Sequence, residues 1–475
     1  MAERTTASFL DGVLDRTLDN LRAAWSNLSA TAREAVGAAL RPDLPEEDAQ
    51  RLRAQMRDCL DGKGGEVSAR LRATTLGRTY LELSRVGRER FLRILATEFD
   101  RDHAAVRAAA DALVAAGPQD VFAAERSLAR ALEAPRLRLL RQFNGLPEGV
   151  KFLVDLRAEL LSLARGDADM AALDADLHGL LASWFDVGFL ELRRITWDAP
   201  ASLLEKLIAY EAVHAIRGWH DLKNRLEADR RCFAFFHPRM PDEPLIFVEV
   251  ALVAGISDRI APLLDETAPV ADPKAADTAV FYSISNCQRG LDGISFGNFL
   301  IKRVVDLLSA ELRNLKTFAT LSPIPGFRGW LEARMAERAF ADMLKPAEAE
   351  ALEAATHGMP GGAVAVLADG RWAERPALAE ALRPPLERLC ATYLTALRPN
   401  GRRAIDPVAH FHLTNGARVE RLDWLADPGD KGMKQSFGLM VNYLYRLDSI
   451  DANHEAYRGE GRVTASSAIR ALAKG

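Results

Sequence analysis

The chain has 475 residues, of which 48% are apolar and 27% charged, and its formal net charge is -4. That length exceeds what one ordinary core organises and predicts two or three globular domains, while the mild acidity argues against a general nucleic-acid binder and leaves room for a local basic patch around a phosphorylated ligand. No apolar run is long and clean enough to cross a bilayer, so no membrane association is expected.

Cys59, Cys232, Cys287 and Cys390 lie far apart without a CxxC pair. That spacing suggests neither a zinc cage nor a disulfide framework, and it fits a reducing compartment. The first twenty residues carry Glu3, Asp11 and Asp15 and no continuous apolar core, and the chain ends Ala473-Lys474-Gly475. Neither end reads as a secretory, organellar or peroxisomal address, so the cytoplasm is the expected location.

Five of the 22 prolines fall before residue 191. Ala, Leu, Arg and Glu dominate there, and apolar residues recur at three and four in Arg51 to Leu60, Leu81 to Phe99 and Val150 to Ala164, the pattern of amphipathic helices. Breaks at Asp61 to Gly65, Gly117-Pro118 and Gly145 to Pro147 read as turns between them. A helical bundle over residues 1–190 is expected.

The pattern changes after residue 190. Leu245 to Val253 and Ala279 to Ser285 are β-branched and aromatic runs typical of strands, with later strand candidates at Val408 to His412, Val419 to Trp424 and Leu439 to Leu444. Between them Phe299, Leu300, Val304, Leu307, Leu308 and Leu312 share one face of a helix. Strands alternating with helices predict an α+β fold overall, with an α/β domain over 191–475.

The junction from Phe281 to Leu300 is a strand, a glycine-bearing loop and a helix. Gly290, Gly293 and Gly297 remove side chains where a ligand could approach, and the free N–H groups of a first helical turn attract phosphate oxygens; a plain turn is the other reading. Glycine spacing excludes both the Walker loop and the dinucleotide fingerprint.

In Asp406-Pro-Val-Ala-His-Phe-His412, alternation along an extended segment would put His410 and His412 on one face. Such a pair could bind metal, serve catalysis or simply satisfy buried hydrogen bonds, and no third metal ligand stands at the usual spacing. Ser322 heads Ser-Pro-Ile-Pro-Gly-Phe327, where two prolines stiffen the backbone and would hold its hydroxyl in one place; a turn-capping serine is the alternative. No Gly-x-Ser-x-Gly elbow is present, which argues against a hydrolase triad.

Taken together, HPRMPDEPLIFVEVAL, FYSIS, GLDGISFGNFLIKRVV, LSPIPGF, FHLTNGA and GLMVNYLY resemble the malonyl-CoA decarboxylase family in order and spacing. The resemblance implies a helical N-terminal domain that associates subunits into a homodimer or homotetramer, and an acetyltransferase-like (GNAT-type) catalytic domain. It further implies conversion of malonyl-CoA to acetyl-CoA and carbon dioxide with no cofactor and no metal. It places the catalytic pair on Ser322 and His412, and coenzyme A contacts on Asp292, Gly293, Ile294, Ser295, Phe296, Gly297 and Asn298, with Ser283 and Tyr445 also at the site. The sequence departs from the family pattern at Asp292. Loss of carbon dioxide leaves an enolate, which a histidine of ordinary pKa near 6.5 could protonate while Ser322 orients the carboxylate or relays a proton.

Overall fold

The computed structural model describes residues 40–61, 65–294, 300–337, 339–357, 359, 362–399 and 401–474. The chain forms two compact units: residues 1–191, 236–245 and 288–295 make up one, and 192–235, 246–287 and 296–475 the other. Two short segments beyond residue 191 therefore fold with the N-terminal body.

The first unit is helical. Helices span Glu46–Leu60, Glu66–Glu82, Arg85–Glu98, His103–Ala115, Val121–Leu132, Pro135–Phe143, Gly149–Leu163 and Ala168–Trp184. The single helix expected over Leu81 to Phe99 is two helices instead. Leu83 is extended, and the Ser84 side chain accepts from Gly87 N at 3.3 Å, capping the second helix. The apolar spacing runs through this break because both helices face one core, so periodicity could not register it. Tyr80 meets Phe91 and Phe152 edge to face, with ring centroids 5.0 and 5.6 Å apart, and the helix Gly149–Leu163 is buried along most of its length.

In the second unit the strands are β1 (Glu191–Ile195), β2 (Arg230–His237), β3 (Met240–Val253), β4 (Thr278–Asn286), β5 (Thr317–Thr320), β6 (Ser322–Pro323), β7 (Arg418–Asp423) and β8 (Met440–Tyr445). Their order is β1-β2-β3-β4-β5-β8-β6, with β7 also paired to β8. Together with the helices this is the α+β architecture expected. The helix Leu300–Glu311 buries Leu300, Val304 and Leu308, whereas Leu307, expected on that face, is exposed. Phe299 lies outside the described residues.

β4 and β5 run parallel, and their pairing ends at Phe281 opposite Thr320, followed by Leu321 N donating to Phe281 O at 3.0 Å. The chain then joins β8 through Ser322 opposite Val441. Beyond Phe281, β4 keeps β3 on one side, up to Asn286 opposite Ile246. On its other side no further ladder pair follows among the described residues. Ser283 on β4 and Ser322 on β6 each stand two residues past the last pair.

Candidate active site

The segment expected as a strand over Val408 to His412 is a helix, Pro407–Thr414. Asp406 caps it, accepting from Ala409 N at 2.8 Å, and Pro407 fits the first helical position, where no N–H is needed. Alternating apolar and polar residues imitated a strand, but the Asp-Pro start is a helix signal. Residues two apart on a helix are about 200° apart around its axis, so the two histidines do not share a face. His410 Nδ1 lies 2.8 Å from the Tyr457 hydroxyl, while His412 turns toward Ser322. Among the described residues no group of three His, Cys, Asp or Glu side chains could hold a metal ion.

Asp406 also joins two site elements. Its carboxylate accepts from the Tyr393 hydroxyl at 3.1 Å and from the backbone of Gly326, in the turn after Ser322. A Cβ on Gly326 would stand 2.2 Å from that hydroxyl, so the turn closes against Tyr393 only with glycine there. The helix carrying His412 and the turn following Ser322 are thereby held by one buried carboxylate.

Ser322 Oγ and His412 Nε2 are 3.1 Å apart, and both residues are buried. The Ser322 hydroxyl donates to Thr320 Oγ1 at 2.9 Å, and Thr320 Oγ1 also accepts from Tyr443 N at 3.1 Å. On the other side of the imidazole, Nδ1 lies 2.7 Å from the Tyr445 hydroxyl, and the Tyr443 ring stacks on His412 with centroids 4.4 Å apart. Burial pushes the His412 pKa down to about 3 and the Tyr445 phenol well up. An imidazole of ordinary pKa, expected from the residue type alone, is therefore replaced by one that is neutral at neutral pH, because burial disfavours its charged form.

Ser283 enters a different network. Its hydroxyl reaches Glu211 Oε1 at 2.7 Å, Ser285 donates to Glu211 Oε2 at 3.0 Å, and Val213 N and His214 N supply two further donors. Lys431 Nζ holds the same loop through Ala212 O at 2.8 Å and Val213 O at 2.6 Å. Glu211 escaped the sequence reading because its loop carries no motif. Thr320 left a signal, since residues i and i+2 of an extended segment share a face with Ser322.

Residues 288–294, the first part of the glycine loop, belong to the helical unit. There Arg157 Nη1 donates to Gly290 O at 2.6 Å and to Asp292 O at 3.0 Å, and a Cβ on Gly290 would meet Val154 O at 1.8 Å. Close packing on the helix Gly149–Leu163, rather than ligand approach, thus demands glycine at 290. Gly293 has φ +84°, and the Asp292 carboxyl is pushed up, chiefly by burial. Asp292, Gly293 and Ile294 are described; Ser295, Phe296, Gly297 and Asn298 lie outside the described residues.

Comparison with known proteins gives a consistent result. The family profile of the malonyl-CoA decarboxylase C-terminal domain matches residues 188–475, and that of the N-terminal domain matches 99–185. Mitochondrial malonyl-CoA decarboxylase of Rattus norvegicus is 37% identical over 476 residues, covering 94% of this chain and 92% of the relative. That of Anser anser anser is 37% identical and covers 80% of this chain and 79% of its own. Among solved structures, malonyl-CoA decarboxylase from Rhodopseudomonas palustris has TM-score 0.80 and 44% identity, covering 89% of this chain and 99% of its own. The Cupriavidus metallidurans enzyme has TM-score 0.69 and 39% identity over the same shares.

Proposed function

The chain belongs to the malonyl-CoA decarboxylase family, and we propose that its Ser322–His412 pair converts malonyl-CoA to acetyl-CoA and carbon dioxide. The observation that carries this reading is the buried 3.1 Å contact between Ser322 Oγ and His412 Nε2 at the end of the β4–β5 ladder. The thioester arm would lie between β4 and β6, where, among the described residues, one edge of β4 has no ladder partner past Phe281 and can pair with amides of an extended ligand. Asp292 to Asn298 would line the coenzyme A portion, and Ser283 would border the acyl end from β4.

In the reaction the C2–C3 bond of the malonyl group breaks, carbon dioxide departs, and the electron pair remains as a thioester enolate. One proton must then reach C2, so each turnover consumes a proton. The thioester is itself the electron sink. Ser322 orients the departing carboxylate without the repulsion a second carboxylate would bring, or passes the proton on. Neutral His412 gives that proton from one ring nitrogen while the other takes the Tyr445 hydroxyl proton, and one proton from solvent then restores Tyr445.

Protein stripped of metal by chelator and given malonyl-CoA alone is expected to yield acetyl-CoA and carbon dioxide, followed by chromatography of the coenzyme A species. The Ser322→Ala, His412→Asn double variant should leave malonyl-CoA intact. Persistence of malonyl-CoA with the unaltered protein until an amine acceptor is added would point to an acyltransferase instead.

Among the described residues no helix is long and apolar enough to cross a membrane. Cys59, Cys232 and Cys390 are free and buried, which fits a reducing setting such as the cytoplasm. We also propose association as a homodimer or homotetramer through the helical unit. The helices His103–Ala115 and Val121–Leu132 pack on each other yet bury none of their residues, leaving Val114, Phe122 and Leu132 exposed. Sedimentation at micromolar concentration should show dimers or tetramers, and Phe122→Glu should shift them toward monomer. A wild-type monomer would refute the association, and an unaltered oligomer in the variant would place it elsewhere.

A further inference from the structure

Ser322, His412, Tyr445 and Thr320 form a line of hydrogen bonds, and the Ser322–Thr320 bond at its end fixes their direction. Ser322 has one hydroxyl proton, which it gives to Thr320 Oγ1 at 2.9 Å. Its oxygen can then meet His412 Nε2, 3.1 Å away, only as an acceptor, so Nε2 carries a hydrogen. His412 is buried and neutral, and a neutral imidazole has a single N–H; Nδ1 must be bare and accept the Tyr445 hydroxyl at 2.7 Å. Every donor therefore points one way, from Tyr445 through His412 and Ser322 to Thr320.

We propose that Thr320 is a positioning residue that sets this direction and so keeps the His412 proton on Nε2, the nitrogen facing Ser322. The inference rests on the Ser322–His412 reading above and deepens it. Thr320 is fully buried, and its Oγ1 is held by Tyr443 N at 3.1 Å while Asn442 Nδ2 donates to Thr320 O at 2.8 Å. The acceptor is thus fixed by β8 on both its side chain and its backbone. When the malonyl carboxylate arrives, it offers the Ser322 hydroxyl a charged acceptor in place of Thr320, and the rest of the line keeps its direction.

Without an oxygen at Thr320, the Ser322 hydroxyl would turn to the strongest remaining acceptor, the imidazole. That requires Nε2 to be bare and moves the ring hydrogen to Nδ1, facing Tyr445. His412 would then lack a proton on the side of Ser322. Geometry would survive while proton direction reversed, a change that a purely packing role for Thr320 does not produce.

The test uses the full-length protein with 15N-labelled histidine, the His412 signal being identified by its loss in His412→Asn. Wild type should show the Nε2–H tautomer, and Thr320→Val the Nδ1–H tautomer, with kcat lowered roughly 10- to 100-fold and KM for malonyl-CoA within about threefold, the scale expected when reacting groups are mispositioned. Thr320→Ser should restore both tautomer and rate. Thr320→Val also orphans Tyr443 N, so Thr320→Cys, which keeps a weaker acceptor, completes the series with an intermediate kcat. In a Ser322→Ala background, Thr320→Val should cost nothing further. An unchanged tautomer, or equal kcat for Ser, Cys and Val at 320, overturns the inference. If Ser322→Ala is slow while Thr320→Val is as fast as wild type, only the role of Thr320 fails; if Ser322→Ala is itself fast, the Ser322–His412 reading fails with it.

Discussion

Replacing His412 with Asn is expected to lower kcat by about 10²- to 10⁴-fold, the usual worth of a positioned acid or base, and to change KM for malonyl-CoA by less than about threefold. Asparagine keeps a polar group of similar reach but cannot exchange a proton between two ring nitrogens. The environment of His412 adds a pH signature. Burial holds its pKa at about 3, below the ordinary histidine value. The ring consequently takes up a second proton only as pH falls toward 3, and its neutral form persists on the alkaline side. No limb attributable to His412 should appear in kcat between about pH 6 and pH 8. An imidazolium acid titrating at the ordinary value would instead lose activity as pH rises through about 6.5. A tenfold drop in kcat per pH unit above that point, absent in His412→Asn, would show that the ring is charged in the working enzyme. Unchanged turnover in the variant would remove His412 from the mechanism.

The pKa is also where residue type alone misled. A histidine beside a serine invites the reference value, and only the packed ring of Tyr443 and the depth of burial reveal that charge is disfavoured. Secondary structure was legible where period and length agreed. Leu245 to Val253 lies within β3, Ala279 to Ser285 within β4, and Val150 to Ala164 agrees with the helix Gly149–Leu163 to within a residue at each end. It was illegible where a short segment satisfied two periods at once, as at Val408 to His412, since four or five residues cannot separate alternation from a helical turn. The capping residues Ser84 and Asp406 held the deciding information in both failures. Within the site, spacing along one strand could have revealed Thr320. Glu211 meets Ser283 across 72 positions of sequence, a contact made by chain topology and invisible to any local pattern.

The largest loss of stability is expected from Arg225→Met, about 3–5 kcal/mol, because it strips a buried cation from two carboxylates. Arg225 Nε donates to Asp221 Oδ1 at 2.8 Å and Nη1 to Glu249 Oε2 at 3.0 Å, and all three residues are buried. Burial, aided by the nearby carboxylate of Glu211, pushes the Glu249 pKa up to about 8 even with the arginine present. Since the folded state holds this proton where the unfolded chain has released it, Glu249 makes stability fall as pH rises from its ordinary range toward 8. Removing Arg225 raises that pKa further and extends the fall to higher pH. Denaturant midpoints should show Arg225→Met weakened at pH 8 more than at pH 6. Adding Glu249→Gln should recover part of the loss, because an amide needs no proton taken up on folding. The consequence reaches the site: Glu249 pairs with Ser283 in the β3–β4 register, beside the irregularity at Glu249–Val250, and Ser283 donates to Glu211. The arginine thus supports the register of β4, the strand that carries Ser283. A loss below about 1 kcal/mol, or no recovery on adding Glu249→Gln, would mean that the two carboxylates find other partners and that the cluster does not depend on Arg225.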